Sequence, residues 1–310
     1  MKILILGGTG WVGHHSAIQF HRAGYQVTVA SRGKKQEFIS ELPRDIALLS
    51  LDKTREPEMA AVFQTAYDIV VDTVPTEVTI DLIVKYAPRL KQYIHCSSTG
   101  GYAPLPFVPG DETMPYWGSF GAGWKKKCVV DTKVMQLFQE QGFPATVIRP
   151  CYISGPGMLP LDNQGDRRDD FIKDIVNNIT LDLPNDGLAL LQPIHVADLG
   201  WSFLLAAETS RSIGQIYNIC LEKAVTLTRY LEITAAVFGR KAAINYLSLE
   251  AMLKKYQGKI NETGLRFMAA HMCFDISKAR TQLGFQPRHT TEATIEETAR
   301  WAAIKTGCII

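Results

Sequence analysis

The feature that most constrains this chain is a set of three evenly spaced glycines directly after an apolar segment at its beginning. Residues 2–6 have the character of a buried strand, and Gly7, Gly10 and Gly13 follow before a helical pattern over 11–23. The first glycine would allow a tight turn, the second a close approach of the backbone to a pyrophosphate, and the third close packing of the helix. Amides at the helix start, aided by its dipole, would bind the anion. The predicted cofactor residues in this turn are Gly7, Thr9, Gly10, Trp11, Val12 and Gly13.

The first 150 residues alternate short β-branched runs with helical patterns. The predicted strands are 2–6, 26–30, 46–49, 68–73, 92–96 and 145–149, and the predicted helices are 11–23, 57–65, 76–86 and 126–141. Such alternation indicates parallel strands joined by crossover helices on both faces of a sheet. Runs such as Ile69-Val70-Val71 are apolar throughout, as is typical of strands covered on both faces.

After Pro150 the alternation loosens, and prolines and glycines interrupt residues 151–193. Further helices are predicted at 169–177, 196–208, 227–238, 249–256, 276–283 and 291–305, with one strand at 215–219. The predicted fold class is α/β, a Rossmann doubly wound parallel sheet with a smaller, mainly helical C-terminal substrate lobe. We assign residues 1–155 plus about 190–220 to the sheet domain, and about 156–189 plus 221–310 to a discontinuous lobe.

Charge and cysteine content argue against several classes of protein. Among 310 residues, 33 Lys and Arg stand against 31 Asp and Glu, a net charge of +2, whereas dedicated nucleic-acid binders carry a clear basic excess. The six cysteines form no CxxC pair and have no histidine at zinc-ligand spacing, so we expect reduced thiols and no metal. No apolar stretch approaches the roughly 20 residues of a spanning helix. We expect a cytoplasmic protein with a small-molecule substrate and no membrane partner, and nucleic acid is a less favoured partner.

The end of the predicted second strand indicates which dinucleotide the turn would hold. An NAD site usually has an acid here for the ribose 2′-hydroxyl, whereas this chain has Ser31 and Arg32, followed by Lys34 and Lys35. A guanidinium binds a 2′-phosphate that a carboxylate would repel. We therefore favour NADP(H), with NAD(H) as the alternative cofactor and a solvated basic loop as the interpretation without a ligand. Asp52, after the third strand, is predicted either to contact the adenine edge or to cap a helix.

Beyond these features the chain carries a series of motifs along nearly its whole length. They are the glycine turn, Cys96-Ser97-Ser98-Thr99-Gly100-Gly101-Tyr102, Arg149-Pro150 with Gly155-Pro156-Gly157, Ile194-His195-Val196-Ala197-Asp198-Leu199, the segment 214–219 and the segment 274–287. In their order and spacing the chain resembles the extended and atypical short-chain dehydrogenase/reductases, the NAD-dependent epimerase/dehydratase family. The resemblance implies a nicotinamide dinucleotide on the sheet and a substrate lobe beside it.

The same resemblance implies three catalytic positions, of which one is altered. The family uses a Ser that orients the substrate, a Tyr that transfers the proton, and a Lys four residues later that lowers the pKa of the Tyr and binds the nicotinamide ribose. Ser98 matches the Ser and Lys127, followed by Asp131, matches the Lys, but Gly123 then stands at the Tyr position. We predict Ser98, Lys127 and Tyr102 as catalytic residues, since Tyr102 could reach the site from the strand end, and Lys127 also as a cofactor contact.

Aromatic and basic side chains supply the predicted substrate contacts. Tyr116 and Trp124 belong to a dense aromatic set that could wall an apolar pocket, and Arg167 lies where sugar-nucleotide enzymes of the family hold a diphosphate. Loop packing and surface ion pairing are the alternatives for these three residues. His195 and Asp198 are predicted to be structural, because this segment opens a helix that packs on the sheet in the family.

The favoured function is an NADP(H)-dependent oxidoreductase or epimerase-like enzyme with a non-standard proton donor. The missing Tyr and the run Lys125-Lys126-Lys127 fit instead a non-catalytic NADP(H)-binding regulator or an RNA-associated protein, since three cations at a helix start are unfavourable without an anion. The whole-chain resemblance fits a sugar-nucleotide epimerase or dehydratase. A homodimer is a further expectation, because many relatives dimerise through the helix that carries the Tyr and the Lys.

Overall fold

A computed structural model of the chain describes residues 1–33 and 38–308, so that Lys34 and Lys35 lie outside the described residues. The strands are β1 Lys2–Leu6, β2 Gln26–Ser31, β3 Ala47–Ser50, β4 Ile69–Asp72, β5 Gln92–Cys96, β6 Ala145–Pro150, β7 Tyr152–Ser154, β8 Leu181–Pro184, β9 Leu190–Leu191, β10 Pro193–His195, β11 Gln215–Ile219, β12 Val225–Thr226 and β13 Ile244–Leu247. The helices are α1 Trp11–Arg22, α2 Glu56–Val62, α3 Glu77–Tyr86, α4 Ala122–Gln141, α5 Phe171–Val176, α6 Val196–Glu208, α7 Leu227–Ala236, α8 Leu249–Lys255, α9 Glu262–Met268, α10 Ser277–Leu283 and α11 Thr291–Thr306. Within these ranges no helix combines the length and hydropathy needed to cross a membrane.

Seven strands form one parallel sheet in the order β3, β2, β1, β4, β5, β6, β11. The direction of winding reverses between β1 and β4, whose paired ends bring Leu6 beside Asp72. Ligands of doubly wound sheets bind at this switch point, outside the carboxyl ends of the strands. The predicted α/β class with a Rossmann sheet is confirmed, and each of the seven predicted strands is present within two residues of its predicted ends.

The sheet is covered on both faces because its strands send apolar side chains alternately to opposite sides. In β1, Ile5 packs among side chains of α1 and α6, whereas Leu4 packs among those of α2, α3 and α4. Both side chains are fully buried. This two-sided burial fixes the carboxyl ends of β1, β4 and β5, where the cleft lies.

The lobe has an apolar core of its own, built from α5, α7, α8, α9 and α11 with β8 and β9. The elements that escaped prediction are β7, β8, β9, β10, β12, β13 and α9. The strands among them have only two to four residues, β13 exposes both Asn245 and Tyr246, and α9 contains Gly264, which disfavours a helix. Residues 276–285, which the sequence analysis assigned to the lobe, pack on α6 and β11 in the core of the sheet. The division into two domains stays a prediction.

The long helix α4 begins at Ala122, four residues before its predicted start. Two glycines, Gly121 and Gly123, disfavour a helix locally, which explains the late prediction. Gly121 is the N-cap, and Gly142, with φ +70°, ends the helix. Lys126 and Lys127 therefore stand in the second turn, where the helix dipole acts on them less than the predicted first-turn position implied.

Cys151 and Cys220 form a disulfide, with Cα atoms 5.4 Å apart, so the prediction that all six cysteines are reduced was wrong for this pair. The two residues directly follow β6 and β11, which pair in parallel with Pro150 opposite Ile219. Pairing of the strands brings side by side two residues that are 69 positions apart in the sequence. No local spacing in the sequence could reveal that proximity.

Candidate cofactor and substrate site

The glycine turn between β1 and α1 has the shape that a bound phosphate requires. Gly7 adopts φ +79°, and a β-carbon there would lie 2.5 Å from Thr73 Oγ1. A β-carbon on Gly13 would lie 2.5 Å from Gly7 O, so this position admits only glycine without a shift of the backbone. Gly10 is the N-cap of α1, no side chain caps the helix, and its first turn has no acidic residue. The first amides of α1 are therefore available to an anion.

The carboxyl end of β2 lies beside the glycine turn, because β2 pairs with β1, and it carries Ser31 and Arg32. Ser31 Oγ accepts a hydrogen bond from Gly33 N at 3.2 Å, and the exposed side chain of Arg32 follows it. Asp52 Oδ1 accepts hydrogen bonds from Thr54 Oγ1 at 2.7 Å and Thr54 N at 3.0 Å. These bonds lower the pKa of Asp52, and the charge of nearby Arg32 lowers it further. Ser31, Arg32 and Asp52 are thus close together. Asp52 closes the turn at Thr54, but the N-cap of α2 is Arg55, so the predicted helix-cap role of Asp52 was wrong and its contact with the adenine edge stays a prediction.

A cleft of about 390 Å³ runs from the glycine turn to the lobe. The predicted residues Gly7, Gly10, Trp11, Val12, Ser98, Trp124 and Arg167 all line it. Trp11 Nε1 donates a hydrogen bond to Pro156 O at 2.5 Å, which joins the glycine turn to the loop that enters the lobe. The structure therefore brings the predicted phosphate site and part of the predicted substrate site into one continuous space.

Three polar side chains distinguish the lobe end of this cleft. Ser98 Oγ accepts a hydrogen bond from Gly100 N at 3.1 Å. The Arg167 guanidinium donates to Leu159 O and, at 2.9 Å, to Ile153 O, both of which are backbone carbonyls. The hydroxyl of Tyr152 is buried and has no hydrogen-bond partner among the described residues. Burial raises the pKa of Tyr152, and the charge of Arg167 opposes that rise.

The sequence analysis did not single out Tyr152. It lies three residues after Arg149 in the Arg-Pro motif, and β7 carries it into the cleft beside the end of β6. An aromatic residue directly after a strand end at the sheet edge that carries the cofactor is the signal that could have indicated it. The spacing from Lys127 leads to Gly123 in α4, so it could not indicate a residue of β7.

Tyr102 and Tyr116 lie behind the end of β5 and do not line the cleft. Tyr102 OH accepts a hydrogen bond from Arg149 Nη1 at 2.6 Å, and burial raises the pKa of Tyr102 to about 12. Tyr116 OH donates to Ser98 O at 2.6 Å, and its ring lies 3.4 Å from the Arg149 guanidinium carbon. Tyr116 therefore holds the backbone of Ser98, and neither phenol is directed at a cleft ligand.

Asp131 of α4 is the centre of a buried network that fixes the ends of β5 and β6. Its carboxylate contacts His95 Nε2 at 2.7 Å, Ser97 Oγ at 2.9 Å and Arg149 Nε at 2.8 Å. Burial alone would raise the pKa of Asp131, but the hydrogen bond from His95 and the charges of His95 and Arg149 hold it below its usual value. The sequence analysis used Asp131 only to set the register of Lys127.

Lys127 lines a separate cavity of about 240 Å³ together with Ser97 and Asp131, and this cavity shares no lining residue with the cleft. The structure thus does not bring Lys127 together with Ser98 on one cavity wall. At Gly123, a β-carbon would meet no atom within 4 Å. The position where the family has its Tyr is therefore open.

His195 and Asp198 join α6 to the segment before α11. His195 and His289 stack with ring centroids 3.7 Å apart, His195 Nε2 contacts Glu297 at 3.1 Å, and His289 Nδ1 contacts Asp198 Oδ2 at 3.0 Å. Both histidines and Glu297 have ligand atoms within 4.8 Å of one another. The ring planes are 13° from parallel, so one ion could not lie in both planes as imidazole coordination requires. Neither His195 nor Asp198 lines the cleft, which fits the structural role predicted for both residues.

Comparison with known proteins agrees with this architecture. Residues 3–220 match the model of the NAD dependent epimerase/dehydratase family. The chloroplast stem-loop binding protein of 41 kDa b from Arabidopsis thaliana is 27% identical over 301 residues, which cover 92% of this chain and 75% of that protein. UDP-glucuronic acid 4-epimerase from Bacillus cereus in complex with NAD has a TM-score of 0.78 and 17% identity, over 99% of this chain and 100% of the other.

UDP-glucose 4-epimerase from Thermotoga maritima has a TM-score of 0.74 and 20% identity, over 98% of this chain and 99% of the other. At these identities the solved structures establish the shared fold. The family model, in contrast, spans well over half of the sequence and includes the glycine turn, Ser98 and the Arg149-Pro150 motif. The chain therefore belongs to the NAD-dependent epimerase/dehydratase family.

Proposed function

We propose that the protein is an NADP(H)-dependent oxidoreductase or epimerase-like enzyme in which Tyr152 replaces the family's Tyr as proton donor. The observation that carries this proposal is the single cleft that runs from the glycine turn to Ser98, Tyr152 and Arg167. A binding site for the cofactor alone would need neither the Tyr152 phenol, which has no hydrogen-bond partner among the described residues, nor the Arg167 guanidinium, which donates only to backbone carbonyls.

The residues present fit a dinucleotide phosphate. The uncapped amides of α1 would bind the pyrophosphate, and Gly13, where a β-carbon would overlap Gly7 O, lets α1 pack closely on the glycine turn. Ser31 and Arg32 would hold the 2′-phosphate by charge-assisted hydrogen bonds. Val74 and Ser98 would border the nicotinamide, since both line the cleft near the ends of β4 and β5. When bound, NADPH supplies a hydride.

The remaining chemistry falls to this chain's own side chains. Ser98 is held from both sides, because its Oγ binds Gly100 N and its carbonyl binds Tyr116 OH, so it can orient a substrate oxygen. Tyr152 is protonated at neutral pH, as an ordinary tyrosine is, and burial raises its pKa further. Its hydroxyl would give the proton to a carbonyl oxygen during reduction, although burial makes it a weaker acid than a phenol beside a lysine. Arg167 would attract an anionic group of the substrate.

Separate titrations of the protein with NADPH and with NADH test the cofactor part of this proposal. The fluorescence of the nicotinamide reports binding and gives a dissociation constant for each cofactor. We expect NADPH to bind more tightly than NADH. Arg32→Ala should lower the affinity for NADPH on the order of 10–100-fold, since a hydrogen bond to a charged group contributes about 1.5–3 kcal/mol, and should change the affinity for NADH little. Arg89→Ala is the matched control, because Arg89 is an exposed arginine that precedes β5, at the opposite edge of the sheet from the carboxyl ends where the cofactor would bind. Equal affinity for both cofactors, or equal losses in both variants, would reject the preference for NADP(H).

A second candidate function is the binding of a structured RNA, with or without catalysis. The name of the Arabidopsis relative states that it binds a stem-loop. In this chain Trp117 is 72% exposed, and Gly118 packs on the backbone of Lys125, where a β-carbon would lie 2.4 Å from Lys125 N. The ion pairs of α4 in the described residues are made by Asp131 and Lys133, so the exposed side chains of Lys125 and Lys126 have no carboxylate partner there. An exposed ring beside unpaired ammonium groups suits an unpaired base next to its phosphates.

Fluorescence anisotropy with a labelled hairpin RNA tests this second function. If it is right, the double substitution Lys125→Glu with Lys126→Glu lowers the slope of log affinity against log salt by about two, because each lysine would neutralise one phosphate. Trp117→Ala should lower the affinity for the hairpin more than the affinity for a blunt duplex that has the same stem and no loop. Lys241→Glu with Lys259→Glu, at exposed positions of the lobe, is the charge-matched control. If the two double variants lowered the RNA affinity equally, the binding would be nonspecific attraction to positive charge, and the second function would be rejected.

A further inference from the structure

The lobe end of the cleft has few groups that could recognise a polar substrate. Around its whole lining the described residues include no carboxylate, no amide side chain and no histidine. The wall beside Ser98 is formed by Trp124, Tyr152, Met158, Phe267 and Met272. A sugar ring needs several hydrogen-bond partners when it leaves water, since each buried polar group without a partner costs about 1–3 kcal/mol. This wall does not provide them.

Two flat side chains give the wall its form. Trp124 and Phe267 stack with ring centroids 4.4 Å apart and planes 19° from parallel, and Tyr152 meets Phe267 edge-on at 5.6 Å. Trp124 lies so close over Gly100 that a β-carbon there would come within 1.9 Å of Nε1. The indole is thus held in one position, and it presents a rigid aromatic surface to the cleft. Such a surface favours a flat or apolar group.

Arg167 is the only charged side chain among the described residues that line the cleft. Its hydrogen bonds go to two backbone carbonyls and none goes to a carboxylate. The next residue is different, because Arg168 pairs with both Asp162 and Asp174. The charges of Asp162 and Asp166 reach the Arg167 guanidinium, but neither carboxylate accepts a hydrogen bond from it. An anionic ligand in the cleft could therefore pair with it directly, and a single guanidinium matches one carboxylate or one sulfonate in a bidentate pair.

The size of the cleft points in the same direction. Its volume of about 390 Å³ lies near the lower end of the range of roughly 300–1,000 Å³ for small-molecule sites. The nicotinamide end of the cofactor would take part of that space, because Gly7, Thr73 and Val74 line the same cleft. The remainder suits a compact molecule better than a nucleoside diphosphate sugar.

Resting on the proposed function, we infer that the substrate is a compact, mainly apolar or aromatic carbonyl compound with one anionic group, held by Arg167 against the Trp124–Phe267 wall. In the reductive direction the hydride of NADPH forms the new C–H bond at the carbonyl carbon, and the C=O π bond breaks. Tyr152 gives its proton to the carbonyl oxygen and is reprotonated from solvent. The products are an alcohol and NADP⁺.

Isothermal titration of the protein saturated with NADP⁺ tests this inference with three probes. They are benzoylformate, which is an aromatic 2-oxo acid, acetophenone, which lacks the anion, and UDP-glucose. We expect benzoylformate to bind at least tenfold more tightly than either of the others. Arg167→Met should lower the affinity for benzoylformate on the order of 10–100-fold and leave the affinity for acetophenone nearly unchanged. Arg266→Met is the matched control, since Arg266 is exposed and adjoins Phe267 in α9.

Tighter binding of UDP-glucose, failure of every probe to bind, or equal effects of the two arginine substitutions would overturn the inference. If Arg167→Met does not fold, Arg167→Lys serves instead, because it keeps the charge but loses the bidentate geometry and should weaken benzoylformate alone. The cofactor titration is run first on the same preparation. If NADPH and NADP⁺ do not bind, the proposed function fails; if they bind and the order of the probes is reversed, only the substrate class fails.

Discussion

Tyr152 is the residue on which the proposed chemistry depends. We expect Tyr152→Phe to lower turnover by about 10²–10⁴-fold, the usual contribution of a positioned acid, while the affinity for NADPH stays within about twofold. The side chain loses only a hydroxyl that has no partner in the described residues, so the fold should not suffer. Steady-state rates with any substrate that supports turnover, together with a cofactor titration, measure both quantities.

Tyr246→Phe provides the control for Tyr152→Phe, since Tyr246 is an exposed tyrosine of the lobe. If Tyr152→Phe turned over as fast as the unaltered protein, another group would have to supply the proton. If it lost NADPH affinity to the same degree as turnover, Tyr152 would be a cofactor contact and not the acid.

At the level of single residues, the sequence predicted best those positions whose chemistry depends on the local backbone. Gly7, Gly10 and Gly13 could be assigned because a strand, a turn and a helix follow one another directly. Tyr102 and Tyr116 are different, because both are packed around Arg149, and that packing depends on β6, which lies far away in the sequence. No spacing along the chain tells whether a phenol faces a cleft or a buried guanidinium.

At the level of elements, two helices respond in opposite ways to the same substitution. Gly123→Ala in α4 should raise the free energy of unfolding by about 0.5–1 kcal/mol, because the new β-carbon meets open space and the helix loses a flexible residue. Gly13→Ala in α1 should lower stability and abolish NADPH binding, because the β-carbon would overlap Gly7 O and Gly8 Cα at 2.5 Å each. Urea unfolding and the cofactor titration measure the two effects. Similar stability changes in both variants would contradict the tight geometry of the turn.

Helices α1 and α6 cross closely, and the crossing partly buries His15 of α1. Because burial lowers the pKa of this histidine, we expect the stability of the protein to depend on pH. A β-carbon on Gly200 would lie 2.8 Å from the carbonyl carbon of His15. Burial, with smaller contributions from the charges of His14 and His195, lowers the pKa of His15 to about 3. In the unfolded chain the pKa is near the usual value of about 6.5. The unfolded state therefore binds a proton first, and stability is lost as the pH falls from about 6.5 towards 3.

We therefore predict that the unfolding free energy falls between pH 7.5 and pH 5, by up to about 2 kcal/mol from His15 alone. His15→Asn should flatten this decline, and the same variant at pH 7.5 serves as its own reference. Urea unfolding at the two pH values measures the difference. Parallel declines in the unaltered protein and in His15→Asn would show that His15 is not the group responsible.

At the level of the whole molecule, the hydrophobic pattern was sufficient for the sheet but not for its connections. Short runs such as Ile69-Val70-Val71 marked the strands because they are buried on both faces. The disulfide between Cys151 and Cys220 and the return of residues 276–285 to the sheet depend on which distant strands pair, which a one-dimensional pattern does not record. The cytoplasmic location and a homodimer stay predictions from the sequence.

A crystal structure of the complex with NADP⁺ tests the central claim most directly. We predict that the 2′-phosphate lies within hydrogen-bond distance of Arg32 and Ser31, that the pyrophosphate faces the first amides of α1, and that the Tyr152 hydroxyl and Ser98 face the substrate position above nicotinamide C4. The account would be contradicted if the 2′-phosphate pointed into solvent away from Arg32, or if Tyr152 lay out of reach of that position.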